Sequence, residues 1–213
     1  AGAFSLFGLS NAQIAKGTTY LSGSVGYSQV ESNNGNDKKE NFNVLPTVGY
    51  FVNTNLAVGL GIGYQTEKNT TTTTATLGNT TIVNENVTKT PAFVVAPFVR
   101  KYWTLSDKLY FFGQLAVPMQ FGKTETENSS VATNGNTVVT NSTSTEAKYT
   151  KIGVTVKPGL DYFLNKNWSI EATFGEFGYN NFKYKDLDKS TDNFNFGLNL
   201  SSVTFGVKYV FAK

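Results

Sequence analysis

Few residues in this chain could do chemistry. Asp161 and Glu171 are the best-placed carboxylates, because the segments that carry them flank a short turn at Asn165. Carboxylates on neighbouring strands could share general acid–base work. Arg100, Lys151, Lys157 and Lys208 occupy the same kind of position, opposite apolar residues, so mutual neutralisation is the favoured reading. The chain has no histidine, the commonest general base and metal ligand, and no cysteine, which excludes disulfides and thiolate zinc sites. No Ser–Lys pair stands out as nucleophile and base. Gly59, Gly61 and Gly63 are glycine-rich, but they alternate within a strand pattern and precede no helix, so a phosphate loop fails. No acidic cluster has calcium-loop spacing. The expectation is a non-enzymatic protein with no catalytic, cofactor-binding or metal site.

Composition narrows what could position these charges. The 213 residues suit one larger domain or two small ones. Aromatics make up 14% of the chain, which excludes wholesale disorder. No apolar run reaches the length of about 18 that a membrane helix needs. Net charge is only +3, with acids and bases interspersed, so no nucleic-acid partner is expected.

What the chain does have is alternation with period two. Leu56, Val58, Leu60, Ile62 and Tyr64 alternate with Ala57, Gly59, Gly61, Gly63 and Gln65, a strand pattern. Seven further segments alternate in the same way, the last being Val203 to Phe211. Eight strands of about ten residues suit a closed antiparallel barrel that crosses a bilayer. The connections alternate as well. Asn53 to Asn55, Thr104 to Lys108 and Leu164 to Asn167 are short. Glu31 to Glu40, Thr66 to Thr90, Thr124 to Ala147 and Lys185 to Asp192 are longer and polar. The fold class read here is all-β: an eight-stranded antiparallel up-and-down transmembrane β-barrel, with short periplasmic turns and longer extracellular loops. The β-branched run Thr70 to Thr74 is expected to extend a hairpin above the membrane. Pro46, Tyr50, Phe51, Asn53 and Asn55 recur at the same spacing as Pro158, Tyr162, Phe163, Asn165 and Asn167, with Pro97, Tyr102 and Trp103 a looser copy. Each proline removes a ladder donor, so local bulges are expected there.

The apolar stripe suits lipid, and the small or polar face suits a narrow lumen. Tyr50, Trp103, Tyr162, Trp168 and Tyr209, with Phe211, mark a periplasmic aromatic girdle; Tyr27, Phe42, Tyr64, Phe93 and Phe121 mark an outer one. Arg100, Lys151, Lys157, Asp161, Glu171 and Lys208 then share the lumen, since Arg or Lys facing lipid near the midplane costs about 2–4 kcal/mol. Asp161 and Glu171 lie at similar depth and require a cation beside them. Arg100 is expected to reach one of them, with Gln114 and Tyr102 completing its hydrogen bonds, and Lys157 is a second candidate.

Residues 1–12 read as a signal-peptide remnant, an apolar run ending in small residues, with cleavage before Gln13. Residues 13–213 form the barrel domain. On the hairpins Gly49 to Tyr64, Ala96 to Gln114 and Pro158 to Gly175, the sequence resembles the small OmpA/OmpX-like outer-membrane barrels, particularly those of Bacteroidota-type bacteria. Thr204, Gly206, Tyr209 and Phe211 resemble that family's assembly signal, although Ala212 and Lys213 follow the last aromatic. The resemblance implies a Gram-negative outer membrane, outer-membrane lipid as surroundings, and the barrel-assembly machinery as a partner in biogenesis. It implies no cofactor. Two roles stay open: a structural or surface-interaction barrel (adhesion, envelope integrity, or a subunit meeting another envelope protein), and a narrow porin-like channel.

Overall fold

The computed structural model describes residues 14–187, 189–197 and 203–211. The expected leader at residues 1–12 lies outside them. The described strands are β1 (Thr19–Ser32), β2 (Asp37–Asn53), β3 (Leu56–Leu77), β4 (Thr80–Lys89), β5 (Ala92–Thr104) and β6 (Leu109–Ala116). They continue with β7 (Met119–Asn134), β8 (Thr137–Phe163), β9 (Trp168–Thr173), β10 (Glu176–Tyr184), β11 (Ser190–Gly197) and β12 (Thr204–Phe211).

All neighbours are antiparallel. From β1 the hydrogen-bonded partners run through β2, β3, β5, β6, β8, β9 and β12, and β12 pairs with β1 again. Twelve strands thus stand where alternation predicts eight. Three of the four extra strands have a local cause. Thr90–Pro91 separates β4 from β5, Val117–Pro118 separates β6 from β7, and Phe174–Gly175 separates β9 from β10. Proline lacks the donor a ladder requires. Alternation in side-chain character continues through the two proline breaks, so it cannot reveal them.

The two longest stretches read as connections, Thr66 to Thr90 and Thr124 to Ala147, are themselves mostly β-structure. β3 with β4, and β7 with β8, form long hairpins that turn at Gly78 and Gly135, both with positive φ. A two-residue hairpin turn that opens on a positive φ calls for glycine. These four strands pair side by side into a projecting sheet. β2 leaves β3 beyond Thr71, and β10 leaves β8 at Tyr149, so Thr72–Leu77 and Thr137–Lys148 form its two edges among the described residues.

The prolines divide in their effects. At Pro46 and Pro97 the ladder is interrupted on one side without any change of register, so the bulges expected there are absent. At Pro158 the neighbouring strand does bulge. Gly159 opposes Thr173, whereas Val156 opposes Phe177, which leaves one extra residue around Phe174–Gly175. Gly175 takes a positive φ, and Phe174 N–H donates to Pro158 O at 3.2 Å. One extra residue exchanges the two faces of a strand. Odd-numbered residues of β9 point inward, but even-numbered residues of β10 do.

The interior is not merely small and polar, as alternation suggests. Tyr20, Phe51, Phe98, Tyr102, Tyr110 and Phe112 are buried in it, near the short-turn end. Glycines on adjacent strands make the room. Tyr20 opposes Gly49, Phe98 opposes Gly59 and Phe112 opposes Gly159. A Cβ on Gly49 would lie 2.1 Å from Tyr20 Cζ, and one on Gly159 would lie 2.2 Å from Phe112 Cζ. Each ring lies flat across the neighbouring backbone. Ile14 covers this layer from below. Its N–H donates to Asn55 Oδ1 at 2.8 Å, and Asn55 N–H donates to Ile14 O at 3.1 Å.

Candidate functional site

Above the aromatic layer the strands bring four charges together. Arg100 extends from β5, Asp161 from β8, Glu171 from β9 and Lys208 from β12. Direct register places Asp161 opposite Glu171 across β8 and β9. Arg100 Nη1 donates to Glu171 Oε1 at 2.6 Å. Lys208 Nζ bonds Asp161 Oδ2 and lies 3.4 Å from Glu171 Oε1. Two cations and two carboxylates balance, and all four side chains are buried, Lys208 and Asp161 completely. Arg100 also donates from Nε to Gln114 Oε1 at 2.8 Å and from Nη1 to Tyr102 Oη at 3.1 Å. The rings below finish the cradle: the Arg100 guanidinium sits 4.3 Å from the Phe112 centroid, and Lys208 Nζ sits 4.9 Å from that of Tyr102. Cations over aromatic faces gain most when removed from water.

The other two lysines of the expected set stand apart. Lys157 does not meet Asp161. It pairs with Glu176 at 2.6 Å, because the bulge turns Glu176 inward toward β8. Lys151 lies higher, opposite Gln120 of β7, where a cavity opens toward the projecting hairpins. Alternation missed the cradle rings for a physical reason. Phe112 stands in the run Tyr110-Phe111-Phe112, where inward and outward residues are equally apolar and leave no contrast to read.

The outward face is apolar along its middle, with Val58, Leu60, Ile62, Val99, Val154 and Ile170 exposed. Tyr50, Trp103, Tyr162 and Trp168 are also outward, beside the short turns. Tyr209 is partly buried, its ring 4.9 Å from Trp168 and 5.1 Å from Phe211. On β12, Phe205, Val207 and Phe211 face outward, while Thr204, Gly206 and Lys208 face inward. A Cβ on Gly206 would meet Gly23 O at 3.1 Å, so this strand fits closely against β1.

Charges outside the apolar band pair differently. Lys123 lies 2.5 Å from Glu125 and 2.9 Å from Glu146 at the base of the β7–β8 hairpin. Those hydrogen bonds raise the Lys123 ammonium above its ordinary value, and Lys123 in turn lowers Glu146. A hydrogen bond from Lys38 lowers Glu40 in the same way.

No described helix is long and apolar enough to cross a membrane. An antiparallel, up-and-down sheet with an apolar exterior and a charged, balanced interior defines an outer-membrane β-barrel protein. The chain belongs to the outer membrane protein beta-barrel domain family, whose model matches residues 1–211. Its location is the outer membrane. Among solved structures it is similar to the N-terminal barrel domain of Pseudomonas aeruginosa OprF, at 10% identity and a TM-score of 0.41, covering 93% of this chain and 100% of that one. Neisserial surface protein A is similar at 15% identity and a TM-score of 0.42, with 91% and 97% covered. Yersinia pestis Ail in a nanodisc is similar at 13% identity and 0.36, with 92% and 100% covered. No curated protein matches in sequence.

Proposed function

We propose that the protein is a non-enzymatic, eight-stave transmembrane barrel with a closed lumen, serving a structural or surface-interaction role in the outer membrane. Each interrupted strand pair, β4–β5, β6–β7, β9–β10 and β11–β12, counts as one stave. The carrying observation is the buried cluster of Arg100, Glu171, Lys208 and Asp161, stacked on a layer of rings. Paired charges spanning so narrow an interior leave no open path for a hydrated ion. Separating them would expose unpaired buried charge, at a cost of about 3–5 kcal/mol. The projecting Thr/Asn-rich hairpins are then the part available to a surface or envelope partner. Outer-membrane lipid surrounds the apolar band, and the barrel-assembly machinery reads β12 during biogenesis.

Planar-bilayer recording of the purified, folded protein tests this reading. The expected result is no steady current. A large, steady single-channel current would overturn it and establish the porin-like alternative.

A further inference from the structure

A cavity of about 450 Å³ lies above the ion cluster, at the base of the projecting hairpins. Its size falls in the range of small-molecule sites, roughly 300–1,000 Å³. Side-chain amides of Asn41, Asn43, Gln65 and Gln120 line it, drawn from β2, β3 and β7. Gln65 Nε2 already donates to Gln120 Oε1 at 3.0 Å across the interior. Each amide offers both donors and an acceptor. That is the complement of a row of hydroxyl groups, which also donate and accept.

The opposite wall is aromatic. Phe182 packs 4.8 Å from Tyr149 and 4.9 Å from Tyr184, centroid to centroid. Phe182 and Tyr184 are only half-buried. They face inward because of the bulge at Phe174–Gly175; in the phase of β9 they would face lipid. The charges present, Lys151 and Glu67, are one of each sign, so the cavity favours neither anion nor cation. Asn43 and Gln65 also line a smaller cavity of about 290 Å³ beneath, which reaches Arg100 and Glu171. The vestibule therefore leads down to the ion cluster.

We propose that this vestibule binds a neutral pyranose sugar of one or two rings. A C–H face of the sugar lies against Phe182 and Tyr184, and its hydroxyls exchange hydrogen bonds with Asn43, Gln65 and Gln120. The proposal rests on the closed-lumen reading only in making the site a binding pocket and not a passage.

Saturation-transfer NMR on the folded protein tests it, with methyl β-D-glucopyranoside and cellobiose as probes and glucuronate as an anionic contrast. The detergent must be free of sugar, for example lauryldimethylamine oxide, and each variant is checked for folding by heat-dependent gel migration. Transfer to the neutral sugars is expected, with Kd on the order of millimolar. Phe182→Ala and Gln120→Leu should each weaken binding by at least about tenfold. Tyr179→Ala, on the outward face of the same strand, should leave binding unchanged. In nanodiscs containing a glucosyl lipid, loss of the glycoside signal would assign the sugar to a membrane lipid; an unchanged signal would assign it to a soluble one. Absence of transfer, equal transfer in folded Phe182→Ala, or preference for glucuronate would overturn the proposal. Bilayer conductance is read separately, so a failed sugar site and an open lumen are distinct results.

Discussion

Two cations converge on Glu171. Its Oε1 lies 2.6 Å from Arg100 and 3.4 Å from Lys208, so removing it leaves both to share Asp161. Glu171→Ala should lower unfolding stability by about 3–5 kcal/mol, since the partners stay buried and under-compensated. Urea titration in lipid vesicles measures this, and a loss under about 1 kcal/mol would contradict the pairing. The ring–glycine contacts make a second prediction. Gly49→Ala places its Cβ where the Tyr20 ring lies and should prevent folding. Adding Tyr20→Ala removes the ring and should restore heat-dependent gel migration, which a general intolerance at position 49 would not allow. The charges were legible in the sequence because a lone Asp161, Glu171 or Lys208 contrasts sharply with the apolar residues beside it. Phe98 and Phe112 were illegible because alternation detects only contrast, and their outward neighbours Val99 and Phe111 are apolar too. Lys157 was misassigned because its partner, Glu176, enters the interior only through a break in alternation.

That break belongs to the scale of elements. The even-numbered residues of β10 face inward only because one extra residue sits opposite Pro158. Deleting Gly175 removes that extra residue, so Phe177 stays opposite Val156, Glu176 and Asn180 stay inward, and the compact gel form should survive. Deleting Asn180 must exchange inward and outward residues on one side of the deletion and should abolish that form. Deleting Asn136, at a hairpin tip, is the control and should leave that form intact. Hairpin bases offer a milder test. Glu146 titrates below the ordinary carboxylate value because Lys123 donates to it. Its stabilising contribution is therefore present above that ordinary value and is lost as pH falls through the lowered one. Lys123 is raised, so its contribution is full below the ordinary lysine value and is lost as pH rises through the raised one. The contact holds across neutral pH. Carboxyl NMR should show the Glu146 midpoint rising toward its ordinary value in Lys123→Met, with Lys148 still lowering it. Elements were legible where strands are regular. Their number was not, because the prolines interrupt hydrogen bonding without disturbing the pattern of side chains.

Across the whole molecule, Trp103 and Trp168 are the chain's two tryptophans, and both lie on the outward face beside short turns. Brominated lipids should quench both most strongly when bromine sits near the headgroups, and least when it sits mid-chain. Equal quenching at both depths would remove the girdle from the membrane interface. Toward the opposite end Tyr27, Phe42, Tyr64, Phe93 and Phe121 are outward as well, and the long hairpins continue beyond them. From Thr137 to Lys148, β8 continues past its last pairing with β10. At about 3.4 Å per residue, that stretch alone spans roughly 40 Å. In the proposed orientation, the turns at Gly78 and Gly135 stand well clear of the headgroup region and of short glycolipid chains around the barrel. In that orientation an approaching surface would touch threonine, serine and asparagine tens of ångströms before it reached lipid, and the hairpins would set how near the membrane it could come.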